Sequence, residues 1–189
     1  MKYLLPLLPL FLLLTACADA PDTTTRPAYF DVAGYVRGQV AALTQARPTV
    51  KKRAQLGANL EQQTTRAINW SRELELFAQA DINKPALRNS YTTTRPDSLT
   101  YLYRLKPGEK NLPVQLLTVR LDSATGKPRQ IEATLTTKNP LYTAEKYILL
   151  ESGLQKNNAW AVTHYRLRGF QHLRVSNKNT FDVEGHLYP

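Results

Sequence analysis

Three histidines, one cysteine and a scatter of carboxylates are the side chains of this 189-residue chain best suited to chemistry. His164, His172 and His186 all fall in stretches whose alternation reads as β-strand, and three imidazoles meeting across neighbouring strands would hold zinc with an open fourth position. No two of them stand at i, i+2 or i, i+4, however, so they read as surface or half-exposed strand residues, and neither a metal nor a cofactor is expected. A serine nucleophile needs a base and an oxyanion hole at a strained turn, and no G-x-S-x-G frames Ser71, Ser90, Ser98, Ser123, Ser152 or Ser176. Glu132, Glu145, Glu151, Asp182 and Glu184 lie on or beside strand stretches, but spacing assigns no pair of them to one cleft, as glycoside cleavage would require. There is no P-loop and no G-x-G-x-x-G. No catalytic residue is assigned, and a hydrolase ranks third among the functional readings.

The cysteine, Cys17, has no possible disulfide partner. It follows a positive start, Met1-Lys2, and an apolar run from Tyr3 to Leu14 interrupted by Pro6 and Pro9. That run is too short to cross about 30 Å of hydrocarbon as a helix, and the layout is that of a secretory signal. Leu14-Thr15-Ala16-Cys17 resembles the lipobox of bacterial lipoproteins. The resemblance implies a signal peptide over residues 1–16, cleavage before Cys17, and a diacylglycerol on its thiol. A mature lipoprotein carries two or three acyl chains, palmitate-like in length, which hold a protein stably where one chain holds it marginally. Residues 17–28 then form the lipidated cysteine and a flexible tether, because Ala18 to Ala28 has no large apolar side chain to offset its ordering entropy. An aspartate immediately after the cysteine, which in enteric bacteria resembles an inner-membrane retention signal, is absent. The expected location is the cell envelope, on the outer membrane facing the periplasm. Further on, Tyr29-Phe30-Asp31 with Gly34-Tyr35, and Asp81-Ile82-Asn83-Lys84-Pro85, are similar to segments of uncharacterised envelope lipoproteins of Bacteroidota, which have no assigned chemistry to carry over.

The chain has a formal net charge of +10. Lys51, Lys52 and Arg53 cluster early, and Arg166, Arg168 and Arg174 cluster late among Tyr165, Phe170 and His172. In a cytoplasmic protein such a mixture would suggest nucleic acid, which export excludes as a partner. The anions that an envelope protein meets are lipid headgroups and acidic polymers. The expected partners are the membrane, through the N-terminal lipid, and either anionic envelope lipids or another envelope protein. A solvated basic surface is the plainer alternative.

Residues 29–189 read as a single α+β domain. Val32, Val36, Val40 and Leu43 recur at helical spacing between Asp31 and Gln45, with Asp31 as cap; Gly34 and Gly38 on the opposite face fit either a close approach of another element or a weak first helix. Thr49 to Leu56 and Leu60 to Arg66 read as a hairpin, and Asn69 to Gln79 as a second helix with Trp70, Leu74 and Phe77 inward. Beyond Ser90 the period becomes two. Strands over Leu99–Leu105, Val114–Leu121, Gln130–Thr136, Lys146–Leu150, Trp160–Val175 and Thr180–Leu187 are separated by turn residues such as Pro107-Gly108, Gly126 and Asn139-Pro140. Connections this short join antiparallel neighbours, so the expected fold is two helices and a hairpin followed by an antiparallel meander of about six strands, with a bulge or bend at Gly169. Several strands are apolar on both faces, which fits either central strands covered on both sides or curvature into a half-barrel. Tyr101, Tyr103, Leu117, Tyr147, Leu149, Trp160 and Val162 would line the cavity of such a half-barrel. A non-catalytic domain that binds an envelope component or a protein partner is the first functional reading, and a carrier or receptor for acyl chains or lipoproteins is the second. The latter is architecturally similar to the outer-membrane receptor that inserts lipoproteins, although this chain places its helices ahead of its sheet.

Overall fold

The computed structural model describes residues 27–109, 112–156 and 158–188. The expected signal peptide, Cys17 and the expected tether as far as residue 26 lie outside the described residues. Among those described, no helix is long and apolar enough to cross a membrane.

From Tyr91 onward the chain turns back on itself at each run of turn residues, producing β3 (Tyr91–Thr94), β4 (Thr100–Leu105), β5 (Val114–Leu121), β6 (Pro128–Lys138), β7 (Tyr142–Leu154), β8 (Trp160–Leu173) and β9 (Lys178–Tyr188). The preceding segment supplies α1 (Val32–Ala46), β1 (Thr49–Leu56), β2 (Asn59–Thr65) and the one-turn helices α2 (Trp70–Glu73) and α3 (Glu75–Ala78). All described strands join one antiparallel sheet of nine, in the order β2-β1-β9-β8-β7-β6-β5-β4-β3. The expected meander is present and longer by one strand, β3, and the sheet is open, with β2 and β3 as its edges. The first strand of the chain lies beside the last, Val50 opposite Leu187.

One face of the sheet holds the core. Tyr103, Leu117, Val119, Ile131, Ile148, Leu150, Val162 and Tyr165 are buried there together with Val32, Val36 and Leu43 of α1 and Trp70, Leu74 and Phe77 of the short helices. The side chain of Asp31 caps α1 by accepting from the Gly34 amide at 2.7 Å, and Arg47 ends it in a left-handed turn before Pro48. Nothing crowds Gly38, where an added Cβ would meet no atom within 4 Å, and a Cβ on Gly34 would run first into the capping carboxylate of Asp31. In place of one helix over 69–79 there are two, because the Phe77 amide bonds back three residues to the Leu74 carbonyl and tightens the turn.

The two segments Tyr29-Phe30 and Asp81-Asn83 clasp one another. Asn83 Oδ1 accepts from the Tyr29 amide and its Nδ2 donates to the Phe30 carbonyl, both at 3.0 Å, while Asp81 Oδ1 accepts from the Val32 amide at 3.1 Å. The Tyr103 hydroxyl accepts from the Phe30 amide at 3.1 Å, which ties this clasp to β4.

The register between β7 and β8 decides which side chains share a face. Pairing runs unbroken through Gly169, so no bulge lies there; a Cβ at that position would come within 2.1 Å of the Glu145 carbonyl oxygen, and close approach accounts for the glycine. The shift lies instead between Glu151 and Ser152 of β7, which face His164 and Val162 of β8 and leave Thr163 as an extra residue. Beside it the Val162 amide donates to Gln39 Oε1 of α1 at 2.9 Å, so a buried helix glutamine satisfies a strand amide at the irregularity.

Candidate functional site

A bulge of one residue reverses which side of the sheet the following side chains occupy. Val162 therefore points into the core while His164, two residues on, lies on the opposite face with Glu151 across from it. On the other flank of β8, His164 pairs with His186 of β9. Glu184 precedes His186 by two residues, and strand alternation puts both on the same face. Gly185 between them faces the core, where the Tyr165 ring fills the place of its side chain: an added Cβ would lie 2.2 Å from that ring. Tyr165 is held in turn by its hydroxyl, which donates to Glu73 Oε1 at 2.6 Å, and Glu73 is paired with Lys52. Burial, the hydrogen bond to Glu73 and its negative charge all raise the Tyr165 pKa well above the usual tyrosine range.

The result is a cluster of four titratable groups. His164 Nδ1 lies 2.8 Å from Glu151 Oε2, and His164 Nε2 lies 2.9 Å from Glu184 Oε1. His186 Nε2 is 3.4 Å from the same Glu184 oxygen, and the two imidazoles are stacked with centroids 4.4 Å apart. Burial pushes the Glu184 pKa up, but the hydrogen bond from His164 and the charges of His164, Arg166 and His186 outweigh it and hold the carboxyl below its ordinary value. The His164 side chain is 14% exposed and that of His186 51%, so the cluster opens to solvent on the β9 side. A shallow depression of about 430 Å³ lies there, lined by Lys51, Arg53, Gln62, Thr64, Glu184 and His186 among others.

Neighbouring charges are arranged so that Glu184 remains directed at the histidines. Asp182 accepts a two-pronged contact from Arg166, at 2.9 and 2.6 Å, and lies 3.7 Å from Arg53. The hydrogen bonds from Arg166 work against burial and, with the charges of Arg166, Arg53 and Arg168, keep the Asp182 pKa below its usual value. Arg168 lies over the Tyr147 ring at 4.7 Å, and Lys51, opposite His186, lies over Tyr188 at 5.1 Å.

Of the basic residues singled out in the sequence, Lys51, Arg53, Arg166 and Arg168 come together on the uncovered face through the β1-β9-β8 order, interleaved with Asp182 and Glu184. Lys52 points the other way, into its contact with Glu73, and Arg174 lies in the β8–β9 turn, its amide bonded to the Leu141 carbonyl. The candidate cavity residues do not converge. Tyr101, Tyr103, Leu117, Trp160 and Val162 lie on the helix side, whereas Tyr147 and Leu149 alternate with the buried Ile148 and Leu150 and occupy the opposite face. Trp160 and Val162 do border a cleft of about 540 Å³ at the end of α1, with Ala42, Leu43, Ala46 and Leu187. His172 pairs with Lys178 at the far end of β8, eight residues from His164 and so roughly 26 Å away along the strand. The pair missed in the sequence is Glu184 with His186, an i, i+2 combination that a search for histidine pairs alone does not find. No family model matches the chain, and no curated protein and no solved structure matches it.

Proposed function

We propose that this chain is an exported envelope protein held at the outer membrane by lipid on Cys17, and that its domain is a non-catalytic binding module whose contact surface is the uncovered face of the sheet. The observation that supports this reading is the asymmetry of the sheet. Every described helix contact falls on one side, through Val32, Val36, Gln39, Trp70, Glu73 and Phe77. The other side presents paired charges together with half-buried Tyr147 and Leu149, with no described helix over it. A protein partner of mixed charge suits such a face better than a uniformly anionic lipid surface, because Asp182, Glu184 and Glu132 break up the basic residues.

The anchor is tested by membrane fractionation of cells producing the Cys17→Ala chain. The expected result is a domain that leaves the membrane fraction, or an unprocessed precursor, with unchanged folding; a variant that is processed and retained like the wild type overturns the anchor. The face is tested by native mass spectrometry of protein taken from its own envelope. A co-purifying protein should be lost from Arg168→Glu and kept by a substitution on the exposed hairpin tip, such as Leu60→Ser. A carrier of acyl chains is the second reading, supported by the α1 cleft, whose size lies within the usual range for small-ligand sites. Displacement of a fluorescent fatty acid by Ala42→Trp, which would fill that cleft, distinguishes it.

A further inference from the structure

The geometry points to a zinc site on the uncovered face, formed by His164 Nε2, His186 Nε2 and a carboxylate oxygen of Glu184, with Glu151 orienting His164. One ligand atom from each of the three residues lies within 4.8 Å of the others. In a tetrahedral zinc site with bonds of about 2.0–2.1 Å the ligand atoms are about 3.3 Å apart. The 2.9 and 3.4 Å separations of the two imidazole nitrogens from Glu184 Oε1 bracket that value; because the two rings stack within 15° of parallel, the exposed His186 ring must turn out of the stack for both lone pairs to meet at one ion.

The hydrogen bonding around His164 supplies a second, independent argument. Both ring nitrogens face carboxylates, at 2.8 and 2.9 Å. A neutral imidazole donates through only one nitrogen. With Nδ1–H donating to Glu151, Nε2 is the nitrogen aimed at Glu184, and either a second ring proton or a metal ion between them satisfies the pair; the metal takes this place when it is present. A carboxylate on the distal nitrogen is the arrangement that fixes tautomer and direction in histidine ligands to metals. Two carboxylates also balance the charge of one divalent ion. Asp182 engages Arg53 and Arg166, and Lys51 lies over Tyr188, so the nearest cationic side chains have other partners.

Two imidazoles and one carboxylate suit zinc over calcium or magnesium, which prefer all-oxygen shells. With His186 half exposed, water or a donor group of a bound partner would complete the shell. The site stands independently of the membrane anchor, and either can fail without the other.

The test uses tag-free protein stripped with chelator and dialysed against buffered Zn²⁺, with metal per chain measured by mass spectrometry and affinity by competition with a chromophoric chelator. The Cys17→Ala chain is measured in parallel to remove the one competing thiol. One zinc per chain is expected, with a rise in Tm on binding. His164→Ala, His186→Ala and Glu184→Gln should each abolish stoichiometric binding, and Glu151→Gln should weaken it by about 10–100-fold. His172→Ala should leave it unchanged. The exposed His186 tolerates truncation without unfolding, which circular dichroism of that variant checks. Absence of tight one-to-one binding overturns the site. So does a loss in His172→Ala equal to that in His186→Ala, which would mark scavenging by scattered histidines.

Discussion

The two faces of the sheet solve the same pairing problem with different forces. On the helix side, cross-strand neighbours such as Ile131 with Leu150 and Tyr103 with Leu117 are matched by shape and removed from water. On the other side the neighbours are matched by charge: Arg166 with Asp182, Arg120 with Glu132, and His164 with Glu151 and Glu184. Shape matching tolerates little change in volume, whereas a charge ladder with solvent at its edge tolerates changes in volume but not in sign or partner. The covered face therefore carries the stability of the domain, and the uncovered face carries its ladder of paired charges.

The contrast breaks most visibly at Tyr165. It is almost fully buried, packs edge-on to Phe77 at 6.2 Å, and ends on Glu73. Tyr165→Ala should cost about 3–5 kcal/mol, read as a large drop in the urea midpoint. Gly185→Ala comes next, because the new methyl would collide with the same ring from β9; a loss of about 1–3 kcal/mol is expected. Since Gly185 separates Glu184 from His186, this single methyl on the covered side should also disturb zinc binding on the other, which no other covered-face substitution of similar cost should do. The smallest effect belongs to Asp182→Asn, about 1 kcal/mol or less at neutral pH. Its sign with pH is fixed by the lowered carboxyl: the folded form holds the charge more tightly than the unfolded one, so the contribution is present above about pH 4 and disappears as pH falls through the folded value. Urea titrations between about pH 7 and about pH 3 should show the wild type and Asp182→Asn converging at the acid end. Curves that stay parallel throughout would remove the electrostatic account of this pair.

Turns and strand directions are readable locally, because Pro107-Gly108, Gly126 and Asn139-Pro140 interrupt alternating stretches, and short links permit only antiparallel neighbours. Gly126, for example, adopts φ +65° in its turn. The face of each side chain is less readable. Where a strand is apolar on both sides, as around Tyr147-Ile148-Leu149-Leu150, alternation does not say which half is inside, and the expected cavity therefore mixes residues from both sides. The extra Thr163 inverts parity between Val162 and His164 without any glycine or proline to mark it. The meeting of His164 with Glu151 depends on that inversion, and its meeting with Glu184 and His186 on the β8–β9 register. The joining of Lys51 and Arg53 to the Arg166 region depends on β1 lying beside β9, a contact between distant segments that leaves no local pattern.

That last contact also bears on how the protein is made. The early hairpin docks on the final strand, so one edge of Thr49 to Leu56, whose other edge pairs with β2, stays open during synthesis until Phe181 to Tyr188 arrive. Pairings between remote segments form slowly because loop entropy opposes them. For that interval the flank of the growing sheet is open to chance pairing with other molecules, and the lysines and arginine of β1 discourage it. Lys51 and Arg53, which guard this edge first, thus end on the uncovered face of the finished sheet.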